Sequence, residues 1–123
     1  LCCCCAKDRT VLITDAMQAA GMPDGGYTLC GESVEMQGGV VRTASGGLAG
    51  STLALDAAVR NMVEHTGVAP ENAIHMASLH PARLLGMDHL LGSLAPGKRA
   101  NIIALDAGLH LRQIWIQGQA LSL

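Results

Sequence analysis

The sequence predicts a mixed α/β chain, and three observations predict it. An apolar run, Val11-Leu12-Ile13, leads through Thr14 into a carboxylate at Asp15. That is the pattern of a short buried parallel strand delivering one ionisable group to its C-terminal mouth, and equally of a Thr14-Asp15 pair that caps the next helix. Apolar residues at helical spacing occupy the middle of the chain, and short strand-like pieces punctuated by glycine flank that middle on both sides. By order alone this is α+β. A buried strand before Asp15, however, has no parallel neighbour in the sequence, and its edge would stand unpaired. The completing strands are therefore expected outside these 123 residues, which open on Leu1 rather than Met, so the chain reads as a fragment.

Composition excludes several classes of function. The formal net charge is −2, and the eight Lys and Arg are scattered with Lys98-Arg99 as the one adjacent pair, which leaves no basic patch for nucleic acid or an acidic membrane. There is no Phe, one Trp (Trp115) and one Tyr (Tyr27), so no aromatic platform exists for stacking bases and the core is aliphatic. Half the residues are hydrophobic, yet no run approaches a membrane span and nothing resembles a signal peptide. The chain reads as soluble and cytoplasmic, with neither nucleic acid nor membrane as partner. Four of the five cysteines, Cys2 to Cys5, are adjacent. Their side chains diverge, so they suit neither a tetrahedral zinc nor a staple between distant segments, and residues 1–9 read as non-native or irregular. Cys30 stands single and reads as a small buried hydrophobe.

The elements follow in order. After Asp15, Gly21-Met22-Pro23-Asp24-Gly25-Gly26 turns the chain without a helix. Residues 27–29 and 34–36 read as strands split at Cys30-Gly31, and Gly38-Gly39 turns into a third at 40–43, a small meander. The stretch Ala44-Ser45-Gly46-Gly47-Leu48-Ala49-Gly50-Ser51 has little side-chain bulk, so backbone can approach a ligand there. Ser51 then serves as N-cap for a helix over 52–65, with Leu55, Val59, Met62 and Val63 on its buried face and Gly67 closing it. Pro70 starts a second helix, aided by Glu71, that ends at a Pro81 break, and a short third helix runs over 81–85 to Gly86. Leu94-Ala95-Pro96-Gly97-Lys98 is a turn leading into a strand at 101–105. A final pair of strands, 109–116 and 119–123, folds at Gly118.

These residues, taken together, resemble a known family. Leu12-Ile13-Thr14-Asp15-Ala16-Met17, Gly46-Gly47-Leu48-Ala49-Gly50-Ser51-Thr52-Leu53, Ala58-Val59-Arg60-Asn61-Met62-Val63, Met76-Ala77-Ser78-Leu79-His80-Pro81-Ala82-Arg83 and Gly92-Ser93-Leu94-Ala95-Pro96-Gly97-Lys98-Arg99-Ala100 resemble, in order, the C-terminal third of the N-acetylhexosamine-6-phosphate deacetylases. Several motifs in order are far more specific than any one alone. Cys30-Gly31-Glu32 and Gln113-Ile114-Trp115-Ile116-Gln117-Gly118 place the wording nearest the galactosamine branch, with the glucosamine branch next to it.

The resemblance implies an α/β fold, a C-terminal fragment of an amidohydrolase (β/α)8 TIM barrel plus strands of a small β-sandwich. Residues 10–93 would hold the last barrel strand, the outer helices and a β-meander insertion, and 94–123 the sandwich strands. It implies that Asp15 is the catalytic carboxylate, taking a proton from a metal-bound water and returning one to the leaving nitrogen, and a possible metal ligand itself. A carboxylate beside a divalent cation stays ionised, and a single group can act as base and then as acid. Leu48, Ala49 and Gly50 align with a backbone segment that binds the sugar, although by themselves the glycines also fit a plain strand-to-helix turn. The cofactor implied is a divalent metal ion, Zn2+ or Fe2+, whose main ligands lie upstream of this chain. The substrate implied is an N-acetylhexosamine 6-phosphate, and the full-length parent is expected to be a homo-oligomer.

The five histidines, His65, His75, His80, His89 and His110, form no closely spaced pair or Glu-x-x-His pattern that would rebuild a metal site. His75 and His80 read as packed or surface residues, and Lys98-Arg99 as solvated charge. The fragment is therefore expected to be inactive alone, since one Asp cannot replace an activated water. The alternative from another class is a non-catalytic module that binds a partner through an exposed barrel edge and apolar helix faces.

Overall fold

The computed structural model describes residues 8–122. They form two compact units, one of residues 13–55 and the other of residues up to Leu12 together with those from Asp56 onward.

The 13–55 unit is built on an antiparallel meander of β1 (Gly25–Leu29), β2 (Glu32–Gln37) and β3 (Val40–Thr43). Register follows from alternation. Tyr27 faces Val34 and Met36 faces Val41, so Tyr27, Val34, Met36 and Val41 share the core side while Glu35, Gln37, Val40 and Arg42 are exposed. Val34, Met36 and Val41 pack with Met17, Ala19 and Ala49 as the core, and Tyr27 and Leu29 lean on it. The two connections, Cys30-Gly31 and Gly38-Gly39, have positive φ at both residues, the geometry that matches strand twist in two-residue hairpins. Asp24 accepts the Gly38 N–H at 2.8 Å and ties the second turn back to the loop before β1.

The second unit carries α1 (Leu55–Thr66), α2 (Pro70–Ala77) and α3 (Leu79–Leu84), followed by an antiparallel sheet of β4 (Ile102–Leu105), β5 (Leu111–Ile116) and β6 (Gln119–Leu121). Ala58 and Val59 of α1 are buried, and the Gly67 N–H closes the helix on the Val63 carbonyl at 3.0 Å. Asp56 and Arg60 pair one turn apart at 2.8 Å, and the guanidinium bond holds the Asp56 carboxyl below its ordinary range. Arg60 also donates to the Leu109 carbonyl at 2.9 Å, joining α1 to the loop before β5. Ala73 and Met76 of α2 are fully buried, the methionine alone contributing about 1.5–3 kcal/mol by removal from water.

Four expectations need correction. Residues 11–15 form no strand ladder here. Leu12 donates to the Met76 carbonyl at 2.9 Å, Ile13 is 77% exposed, and the parallel pairing expected of the run reduces to one bridge, Ala16 with Ser51. A parallel strand depends on neighbours for its hydrogen bonds, and the described residues offer one bridging partner, beyond Asp15. Ser51 does not cap α1, because it is engaged in that bridge and its hydroxyl accepts the Leu53 N–H at 2.9 Å; the helix starts four residues later. The break between the second and third helices falls at Ser78, whose φ is −133°, with its hydroxyl donating to the Ile74 carbonyl at 2.7 Å. Pro81 lies in the first turn of α3, where a missing N–H has no helical acceptor to lose. Cys30, expected buried, is exposed at the tip of its hairpin.

Candidate functional site

Asp15 and the glycine-rich segment, thirty residues apart in the chain, are brought together within the 13–55 unit. The Ser51 N–H donates to the Asp15 carbonyl at 3.2 Å, and the Met17 N–H donates to the Ser51 carbonyl at 2.8 Å. These two bonds flank the parallel bridge between Ala16 and Ser51. Asp15 is exposed and sits at φ 52°, a left-handed backbone that Asp tolerates better than most residues and that concentrates at functional sites. The Thr14 hydroxyl accepts the Ala16 N–H at 3.3 Å, so the turn at Asp15 is tied on both sides. Among the described residues no side chain bonds the Asp15 carboxylate, which leaves both oxygens available to a ligand.

On the other side of the bridge, residues 48–50 run beside β3. Leu48 pairs with Arg42 in an antiparallel bridge, flanked by Thr43 N–H to Gly47 O at 2.8 Å and Ala49 N–H to Val41 O at 3.0 Å. The Ala49 N–H is thus spent on the sheet. Its side chain is buried in the core, whereas Leu48 is 72% exposed. In a pair of this kind the main-chain N–H and C=O of Leu48 point away from Arg42 and remain open. Gly50 has φ 78°, and a Cβ there would stand 3.1 Å from Met17 Cγ. Only glycine lets this backbone close over Met17. Leu48, Gly50 and Ser51 line an open concavity of about 320 Å³ with Gly39, Val40, Val41, Thr52 and Leu53. Its wall is fixed by the Thr52 hydroxyl donating to the Gly39 carbonyl at 2.5 Å. Asp15 is not part of that lining; the bridge to Ser51 joins the two through the backbone.

Met17 and Ser51 were not singled out in the sequence as members of the site. A signal was present, since Met17 lies two residues beyond Asp15 and next to the low-bulk segment only if the two pair.

The remaining polar groups have structural work. His80 is buried, and its Nδ1 lies 2.7 Å from the Thr10 carbonyl; it is a packed histidine, as expected. Lys98 departs from the expectation of solvated charge. Its ammonium donates to the Ser93 hydroxyl at 2.7 Å, the Leu91 carbonyl at 3.3 Å and the Asp88 carbonyl, gathering the turn that precedes it. Asp106 accepts the Gly108 and His110 N–H groups at 2.9 and 2.8 Å and pairs with Arg112 at 2.7 Å. The His110 N–H first, and the Arg112 bond with it, pull the Asp106 carboxyl down to about 2. A second concavity, about 370 Å³, lies between α1 and this loop, lined by Arg60, Val63, Glu64, Pro70 and residues 107–110.

Among the described residues no three His, Cys, Asp or Glu side chains gather to hold a metal ion. The donors present therefore do not fit a divalent cation by themselves, and Asp15 has no companion ligands among them. The cysteines at positions 2–5 lie outside the described residues. No helix among the described residues is long and apolar enough to cross a membrane.

An α/β arrangement with a carboxylate held beside a glycine-rich backbone segment defines the class. The model described as "Amidohydrolase family" matches residues 3–121, and the chain belongs to that family. The N-acetylgalactosamine-6-phosphate deacetylase of Escherichia coli O157:H7 is 80% identical over 122 residues, covering 99% of this chain and 32% of its own length. A second relative, from Escherichia coli strain K12, is also 80% identical over 122 residues, with 99% of this chain and 73% of its own covered. In structure, the N-acetylglucosamine-6-phosphate deacetylase from Pasteurella multocida superposes with a TM-score of 0.88 at 28% identity, over 94% of this chain and 31% of that one. The α/β fold expected of a piece of an amidohydrolase barrel is thus the fold observed, and the chain spans about a third of the length of two of these three relatives.

Proposed function

We propose that this chain is the part of a metal-dependent N-acetylhexosamine-6-phosphate deacetylase that carries the proton-shuttling carboxylate, Asp15, and a main-chain contact to the sugar at Leu48, Ala49 and Gly50. The observation that carries the reading is the pairing of Asp15 and Met17 with Ser51, which sets an unpartnered carboxylate beside open backbone. In the proposed reaction a water oxygen bonds to the acetamide carbonyl carbon while Asp15 takes the water's proton. The C–N bond then breaks as the same proton passes to nitrogen, giving the amino sugar phosphate and acetate. The Ala49 N–H is occupied, so the sugar contact falls on the Leu48 and Gly50 main chains and the Ala49 carbonyl. The described residues do not by themselves fit a metal ion.

N-acetylgalactosamine 6-phosphate is the substrate favoured, on the 80% identity to the Escherichia coli O157:H7 deacetylase, with N-acetylglucosamine 6-phosphate next. On this reading residues 10–93 belong to the barrel and 94–123 to the β-sandwich, the parent is a homo-oligomer of the cytoplasm, and its task is amino-sugar catabolism. A second reading, a partner-binding module, draws on exposed Leu94, at 79%, and on Ile103, Ile116 and Leu121 of the second sheet.

The test is exchange. The chain alone, with zinc or ferrous ion and either N-acetylhexosamine 6-phosphate, is expected to release no amine above buffer. Substituted for the matching 122 residues of the Escherichia coli O157:H7 deacetylase, it is expected to give an active enzyme. An inactive but folded exchange enzyme would favour the partner-binding module instead.

A further inference from the structure

We propose that Met17 and Thr14 are positioning residues for Asp15, holding its left-handed backbone so that the carboxylate is presented in one orientation. The inference rests on the reading of Asp15 as the proton shuttle and goes beyond it by naming what aims the group.

Asp adopts a φ of 52° more readily than most residues, and the bonds around it decide whether it stays there. Three bonds do so here. The Thr14 hydroxyl holds the Ala16 N–H, the Asp15 carbonyl holds the Ser51 N–H, and the Ser51 carbonyl holds the Met17 N–H. The last two depend on how closely residues 50–51 approach residues 15–17, and Met17 sets that distance. Its side chain is buried directly under Gly50, where a Cβ would come within 3.1 and 3.2 Å of Met17 Cγ and Cβ. The Met17 sulfur also receives the Ala19 N–H at 3.0 Å. Met17 is therefore a spacer, with a flat glycine above and the meander core below, and its volume fixes the bridge that fixes Asp15. A displacement of 1 Å at a reacting group costs up to about a hundredfold in rate, so a spacer of the wrong size acts on turnover before it acts on binding.

The experiment uses the exchange enzyme described above. Met17→Ala is expected to lower kcat about tenfold or more with KM within about twofold, and Met17→Leu, which restores the volume, is expected to recover most of kcat. Thr14→Val removes one acceptor without changing shape and is expected to lower kcat with KM unmoved, while Thr14→Ser restores it. The Thr14 pair decides the matter if Met17→Ala proves too unstable to assay. Asp15→Asn, run beside them, separates the two claims. If Asp15→Asn abolishes turnover while folded Met17→Ala and Thr14→Val keep wild-type kcat, the positioning role is overturned and the shuttle stands. If Asp15→Asn leaves turnover intact, the shuttle itself fails. A loss that appears in KM instead of kcat, or that the conservative variants do not rescue, also overturns the positioning role.

Discussion

Gly92→Ala is the most informative single change in the second unit, because the structure separates its two costs. A Cβ on Gly92 would stand 2.8 Å from the Ala82 Cβ, 3.0 Å from the Leu79 Cα and 3.1 Å from the Ser78 carbonyl oxygen. Two of those atoms are backbone at the start of α3, and Ala82 is itself buried, so none can swing aside. The overpacking term is about 1–3 kcal/mol. Gly92 also has φ 84°, and an L residue in that region costs a further ~1–2 kcal/mol. Gly97 supplies the control, since its φ is 86° and nothing lies within 4 Å of its Cβ position. Gly97→Ala should therefore cost only the backbone part, about 1–2 kcal/mol, against about 2–5 kcal/mol for Gly92→Ala. At roughly 4–8 °C per kcal/mol for a domain of this size, the difference is readily resolved. Trp115, the one tryptophan, lies in β5 of the same unit, and its fluorescence reports thermal unfolding there. Equal shifts for the two variants would refute the packing around Gly92 and with it the seating of α3.

Other outcomes follow from the same physics. His80→Ala removes a buried ring and its bond to the Thr10 carbonyl; a loss of about 2 kcal/mol is expected in the tryptophan-monitored melt, and an unchanged melt would place His80 outside the core. Asp106 has a depressed folded pKa, about 2 against 3.8. Its contribution is therefore complete above pH 4 and lost as pH falls toward 2, so Asp106→Asn should flatten the acid limb of stability in that window. An acid limb that keeps its slope would remove Asp106 as its source. Lys98→Met should lower the melt by about 1 kcal/mol through the lost bonds to Asp88, Leu91 and Ser93, whereas a purely solvated lysine would show nothing.

The parts of this chain that were legible in its sequence are those whose geometry is local. The hairpin at Cys30-Gly31, the turn at Gly38-Gly39 and the close at Gly118 fell where two-residue turns require them, and alternation then set the register of the first meander and of the last hairpin. The start of α2 at Pro70 was equally local. What misled was residues whose role depends on how the surrounding backbone closes on them. Ser51 has the chemistry of an N-cap but is taken by Ala16; Pro81 looks like a stop but is harmless in a first turn; Lys98 looks solvated until the carbonyls of 88 and 91 curl beneath it. For the candidate site, residue types and family resemblance pointed to Asp15 and to 48–50. The backbone bridge through Ser51, and the spacer Met17 under Gly50, needed coordinates.

The most direct measurement is the turnover of N-acetylgalactosamine 6-phosphate by the exchange enzyme with and without Asp15→Asn, at matched fold and metal content. Removing the proton acceptor while keeping the side chain's size is expected to cost at least about a hundredfold in kcat, the lower range for general acid–base catalysis, with KM little changed. Turnover that survives the substitution would contradict the account at its centre.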